Sequence, residues 1–241
     1  HELRAPLTLI HTAAEFSLRR ERTREELVEA MRKIVRESAR TSRLVDDLLL
    51  LARADSGTDN LRLSLTDLAA TGREAADQAM ILAEPRNIQV STEIPNTPVL
   101  VNGDEQALAR LFLILLDNAV KYSNEGGHVT FAIRSSDSHA EVVVSDTGIG
   151  IAATDLPRIF DRFWRADKVR SRASGGAGLG LSIARWIVQR HAGEIQIASE
   201  PGQGSRVVVT LPQARAPFTY VTANSESVVD PSQDRSLSLP S

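Results

Sequence analysis

Glu141-Val142-Val143-Val144-Ser145-Asp146-Thr147-Gly148-Ile149-Gly150 decides the reading of this chain. A β-branched run that ends on an acid and is then broken by two glycines describes a strand stopping at a carboxylate. Such an acid can accept a hydrogen bond from the amino group of adenine. The two glycines let backbone approach a flat base closely. Alone, Asp-x-Gly-x-Gly also fits a simple turn.

Two further segments bear on the same chemistry. Gly175-Gly176-Ala177-Gly178-Leu179-Gly180-Leu181 opens a helix expected from about Gly178 to His191. Successive glycines free N–H groups to cradle phosphate, and a helix N-terminus adds its dipole. This is no Walker loop, because Gly-Lys-Ser/Thr is absent, and it does not follow a strand as a dinucleotide fingerprint does. Asp117-Asn118-Ala119-Val120-Lys121-Tyr122 closes an apolar helix that Asp104 can cap. Asn118 offers a neutral oxygen suited to Mg²⁺ held together with phosphate, and Lys121 is near enough in sequence to meet the same phosphates. Each segment by itself also has an ordinary surface reading.

In this order and spacing the three segments resemble the N, G1 and G2 boxes of the Bergerat-type ATP-binding fold. That superfamily holds sensor histidine kinases, type II topoisomerases and mismatch-repair ATPases. Ile159-Phe160-Asp161-Arg162-Phe163-Trp164-Arg165 is similar to the F box of the kinases' mobile ATP lid, and the Arg- and Gly-rich stretch to Gly176 fits that lid. The resemblance implies an α+β fold: a helical hairpin followed by an α/β sandwich, with a mixed sheet of about five strands and three helices on one face. It implies ATP and Mg²⁺ as cofactors. Asn118 would be the metal ligand. Lys121, Tyr122, Asp146, Gly148, Gly150, Arg162, Gly176, Gly178, Leu179 and Gly180 would join Asn118 around the nucleotide.

Outward from that site, residues 1–55 contain no Gly and only Pro6. Leu3, Leu7, Ile10, Ala14 and Leu18 make one helical stripe. Leu27, Met31, Ile34, Ser38, Thr41, Val45, Leu48 and Ala52 make another. Thr23 and Glu26 have capping-box spacing between them. Two helices bury little alone, so a second copy completing a four-helix bundle is expected.

The chain begins His1-Glu2-Leu3-Arg4, with His1 on the polar face of the first helix. A histidine beside an acid here resembles the phospho-acceptor of a two-component sensor histidine kinase, and residues 1–212 resemble that family's transmitter core. The resemblance makes His1 the nucleophile and Glu2 its proton acceptor. A response regulator's receiver domain, acting in trans, would take the phosphoryl group next. Without the downstream site, a solvated helix-end histidine would be the better reading. His11, His128, His139 and His191 have no acid-flanked setting and are read as structural. Two alternatives remain open: a clamp-type ATPase of the same superfamily, and a degenerate kinase serving as a dimeric scaffold.

Two positions depart from the family pattern. Ala5 stands where many relatives carry Thr or Asn, which implies weak phosphatase activity toward the regulator. Ile114 replaces an Asn that some relatives place four residues before the metal ligand.

Along the rest of the chain, the expected domains are a hairpin at 1–55, a linker at 56–64, an ATP-binding domain at 65–212 and a disordered tail at 213–241. Asp67 caps a helix to about Ala83. Strands are expected at Ile88–Ile94, Pro98–Val101, His128–Ser135, Ala140–Ser145, Glu194–Ser199 and Ser205–Leu211. A net charge of −3 gives no reason to expect nucleic acid. The absence of cysteine excludes disulfides and thiolate metal sites. No apolar run reaches about 18 residues. A chain starting on His is read as part of a longer protein, cytoplasmic as it stands. The whole protein would be anchored in a bacterial inner membrane by missing upstream segments. Without upstream turns to steady His1, slow autophosphorylation is expected.

Overall fold

The computed structural model describes residues 3–19, 21–56, 61–165 and 177–214. Two antiparallel helices come first, α1 (Arg4–Leu18) and α2 (Arg24–Ser56). The connection between them is built from its charged residues. Arg22 lies over the Phe16 ring, 3.6 Å from its centroid, and donates to the Phe16 carbonyl, satisfying an orphan acceptor near the end of α1. Thr23 and Glu26 form the expected capping box: the Thr23 Oγ1 accepts the Glu26 N–H at 3.2 Å, and Glu26 accepts the Thr23 N–H at 3.1 Å.

Within a single chain the expected stripe of α2 is covered only in part. Leu44 and Leu51 are buried, and with the half-buried Ile34, Glu37, Thr41 and Leu48 they make a row spaced alternately three and four apart. Leu27, Met31 and Val45 of the expected stripe stay exposed, as do Val28, Val35 and Leu49. On α1, Leu7 and Leu18 are likewise exposed while Pro6 is buried. Each helix therefore has more apolar surface than one partner can cover.

Beyond the hairpin the elements run β1 (Ser64–Asp67), α3 (Leu68–Ala83), β2 (Gln89–Glu93), β3 (Leu100–Gly103), α4 (Glu105–Tyr122), β4 (His128–Ser135), β5 (His139–Asp146), α5 (Gly180–Arg190), β6 (Glu194–Glu200) and β7 (Gly204–Pro212). Five strands form one mixed sheet in the order β2-β4-β5-β7-β6, parallel only between β2 and β4. α3, α4 and α5 pack on it. β1 and β3 pair antiparallel in a separate ribbon. β1 falls at the edge of the expected linker because its four residues are too few to show alternation. The last two strands extend one residue beyond expectation, β6 at its end and β7 at both ends. Gln213 and Ala214, expected in a disordered tail, bond to β3 instead: Gln213 bridges Val101, and the Ala214 N–H donates to the Leu100 carbonyl. Residues 215–241 lie outside the described part.

The core sits between sheet and helices. α4 buries Leu108, Leu111, Phe112, Leu115, Leu116, Ala119 and Val120 at helical spacing, and Phe112 meets Phe131 of β4 at 5.7 Å between ring centroids. Each buried Leu, Phe or Val side chain contributes about 1.5–3 kcal/mol. Leu44 and Leu51 of α2 join the same cluster. No helix among the described residues is long and apolar enough to cross a membrane.

His191, just past α5, is buried and joins two helices. The Asp104 N–H donates to its Nε2 at 3.0 Å, so its Nδ1 carries the proton and donates to the Ile187 carbonyl at 2.7 Å. Asp104 in turn caps α4 by accepting the Ala107 N–H at 3.0 Å. Removing the ring leaves a cavity and a buried unpaired N–H. His191→Ala is therefore expected to lower unfolding stability by about 2–4 kcal/mol in urea titration. A change below about 0.5 kcal/mol would show that the linkage is unimportant.

Candidate functional site

Asn118, Lys121 and Tyr122 sit on the last two turns of α4. The Tyr122 carbonyl accepts the Ile149 N–H at 3.1 Å, which lays the Asp146–Gly150 segment across the end of the helix. The approach is so close that a Cβ on Gly148 would lie 2.3 Å from the Tyr122 oxygen. Gly150 has φ +67°, and a Cβ there would lie 1.9 Å from the Glu200 oxygen. The segment is also tied to the β6–β7 turn: the Gly202 N–H donates to the Ile149 carbonyl at 2.8 Å and the Ile151 N–H to the Ser199 Oγ at 2.8 Å.

Asp146 ends β5 half-buried. Its carboxyl accepts the Gly148 N–H at 2.8 Å and the backbone N–H of Ser205. Burial nevertheless pushes the carboxyl above the usual range, outweighing those two bonds. An acid so placed can accept a hydrogen bond from a base's amino group.

The third segment arrives from the start of α5. Gly180 abuts α4, where an added Cβ would lie 3.2 Å from Ile114 Cγ2 and 3.9 Å from Asn118 Nδ2. Ile114 thus fills with methyl groups a space next to the expected metal ligand. Leu179 is buried, and its carbonyl accepts the Ser182 hydroxyl at 2.7 Å. Gly178, with φ +72°, receives the Phe163 N–H on its carbonyl at 2.9 Å, bringing together the two sides of the expected lid. Phe163 itself adopts φ +62°, an uncommon conformation for a non-glycine residue. His1, Glu2 and Gly176 lie outside the described residues.

Lys121 is half-buried, its Nζ 5.1 Å from the Tyr122 ring centroid. Burial lowers the ammonium pKa; Asp117 opposes that, while Arg165 and Arg40 reinforce it. The Tyr122 phenol is raised, again chiefly by burial. An anion bound beside Lys121 would favour its charged form. Among the described residues no cluster of three or more His, Cys, Asp or Glu could hold a metal ion. A cation here would need ligands from the nucleotide as well as Asn118.

Arg162 has a partner other than the expected nucleotide. Its Nη1 and Nη2 each donate at 2.6 Å to the two carboxylate oxygens of Asp55, near the end of α2. This fork holds Asp55 well below the usual carboxylate range. Arg110 of α4 similarly pairs with Asp47. The residues that dock the two parts together, Asp47, Asp55 and Arg110, carry no sequence signal that marks them out from other surface charges. The same holds for Arg86, which donates to carbonyls at the end of α4.

A helix end, a strand end and a helix start of one α/β sandwich converge here, as the resemblance to the histidine-kinase-like ATPases implies. Comparisons agree. The family described as histidine kinase-, DNA gyrase B-, and HSP90-like ATPase matches residues 103–215. The His Kinase A (phospho-acceptor) domain matches residues 1–57. The sensor-like histidine kinase SenX3 of Mycolicibacterium smegmatis is 34% identical over 220 residues, 91% of this chain and 57% of that protein. A solved mycobacterial sensor histidine kinase, MprB, is 31% identical; the match covers 63% of this chain and 97% of that one, with TM-score 0.51. Full-length ShkA, solved in complex with AMPPNP, has TM-score 0.68 at 26% identity, covering 88% of this chain and 46% of that one. The chain belongs to the sensor histidine kinases of two-component systems. It spans roughly half the length of the curated relatives it matches.

Asp146→Asn separates the cost of the charge from its use. Because the folded-state pKa of Asp146 is raised, the ionised acid lowers stability at neutral pH, and stability from this group is regained as pH falls. The neutral variant is expected to melt no lower than the parent at pH 7. Its affinity for ATP should fall about 10- to 100-fold in calorimetric titration. Unchanged affinity would remove Asp146 from the site.

Proposed function

We propose that this chain is the transmitter core of a sensor histidine kinase that phosphorylates its own His1 from ATP. The observation that carries this reading is the convergence of Asn118, Asp146–Gly150 and Gly178–Gly180, downstream of a phospho-acceptor match that starts at His1.

Asp146 accepts the adenine amino group, with Gly148 and Gly150 allowing the base to lie against backbone. The AMPPNP complex of the relative ShkA supports a nucleotide in this fold. Asn118 and Lys121 face the phosphates, and the N–H groups from Gly178 to Gly180 cradle them. Mg²⁺ fits beside Asn118 because one protein oxygen suffices when phosphates supply others; bound there, it neutralises phosphate charge. Arg162, when released from Asp55, is free to meet nucleotide.

The imidazole of His1, in its neutral form, attacks the γ-phosphorus. An N–P bond forms, the P–O bond to ADP breaks, and the imidazole proton passes to the Glu2 carboxylate. An aspartate on a response regulator, acting in trans, then receives the phosphoryl group. The exposed Leu27, Val28, Met31, Val35, Val45 and Leu49 of α2 support a homodimer in which two hairpins make a four-helix bundle. In the whole protein this core lies on the cytoplasmic side of a bacterial inner membrane, joined to it by upstream segments.

Two tests follow from this chemistry. Incubation with [γ-³²P]ATP should give acid-labile, base-stable label on the protein. His1→Gln should abolish it while ATP binding stays within about twofold. Free phosphate with no labelled protein would instead indicate a clamp-type ATPase. Ala5, exposed on α1, lacks the hydroxyl or amide that would orient water for regulator dephosphorylation. Decay of the phosphorylated regulator with this protein and ADP should be slow, and Ala5→Thr should speed it about tenfold or more. Rapid decay with Ala5 in place would contradict this.

A further inference from the structure

The last turn of α4 carries the residues read above as the phosphate side of the site, and a helix cannot satisfy its own last carbonyls. Arg86 lies in the short turn (Glu84–Arg86) that follows α3, far from α4 in sequence. Its Nη1 donates to the carbonyls of Val120 and Lys121, the latter at 2.8 Å. Its Nη2 donates to the Ser123 carbonyl at 2.9 Å. One half-buried guanidinium therefore grips the final turn and the residue just beyond it. Lysine has one nitrogen and cannot reach these acceptors as a fork. The cation also opposes the partial negative charge of the helix C-terminus.

We propose that Arg86 is a positioning residue of the nucleotide site. Its guanidinium is engaged with carbonyls of the helix end. From behind the helix end it holds Asn118 and Lys121 in register with Gly180. This rests on the reading of that turn as the phosphate side. The base side has anchors of its own besides the bond from Ile149 to Tyr122: Asp146 accepts the Gly148 N–H, the Ile149 carbonyl accepts the Gly202 N–H, and the Ile151 N–H donates to Ser199 Oγ. Loss of Arg86 should therefore discriminate between the two halves of a nucleotide.

The test uses the full chain with Arg86→Gln and Arg86→Lys. Without ligand, hydrogen exchange should speed about tenfold at the Ser123 amide, which bonds to the Ala119 carbonyl, and stay unchanged at Leu108 near the start of α4. By calorimetry, Arg86→Gln should weaken Mg·AMPPNP about tenfold and adenosine less than twofold, with Arg86→Lys between the parent and Gln. Unchanged Mg·AMPPNP affinity, equal losses for both ligands, or unaltered exchange at Ser123 would overturn the proposal. If the parent bound neither ligand, the nucleotide reading itself would fall and the positioning role with it. The exchange result would still report whether Arg86 holds the turn.

Discussion

The end of one helix organises this molecule. The last four carbonyls of α4 have no partner within the helix, and each left buried and unpaired would cost about 1–3 kcal/mol. Every one is met. The Ala119 carbonyl takes the Ser123 N–H at 3.0 Å and its hydroxyl at 2.7 Å. Val120 and Lys121 accept from Arg86, and Tyr122 accepts from Ile149. The last bond has a consequence beyond capping. It brings the segment after β5 against the helix that carries Asn118, at a distance only glycine at 148 permits. Packing of α5 against α4 then brings in Gly180. The meeting of three distant segments follows from satisfying one helix terminus.

The hairpin is joined to this domain by a few residues spaced along α2. Leu44 and Leu51 enter the shared core, Asp47 pairs with Arg110 of α4, and Asp55 takes both nitrogens of Arg162. The Arg162 contact lies one residue before Phe163, whose N–H bonds to Gly178. The Arg162 fork thus ties the end of α2 to the residue that precedes Phe163. The uncovered surface of α2 includes the apolar side chains of Leu27, Val28, Met31, Val35, Val45 and Leu49, consistent with a second hairpin as their partner.

Much of this was legible in the residues. The caps at Thr23, Asp67 and Asp104 have short-range signatures, and each works as its side chain suggests. The strand ending at Asp146 and the helix ending at Tyr122 announce themselves through β-branched runs and 3.6-residue periodicity. The hairpin stripe was harder. Heptad-like spacing fits two adjacent registers of α2 almost equally, and only contact with α1 and the domain selects one. β1 was too short to show a period, and its pairing with β3 is a long-range choice. Arg86 and Arg162 were the least legible, since an arginine's partner is set by tertiary proximity. Arg162 illustrates this: its motif suggested nucleotide, and its nearest acceptor is Asp55.

The central claim is that the end of α4, the end of β5 and the start of α5 form one Mg·ATP site. Amide NMR shifts recorded while Mg·AMPPNP is added to the protein test it most directly. Saturable shifts are expected at Asn118, Lys121, Gly148, Gly150 and Gly180, with the exposed face of α2 around Met31 unmoved. Shifts absent at saturating nucleotide, or confined to only one of the three segments, would contradict it.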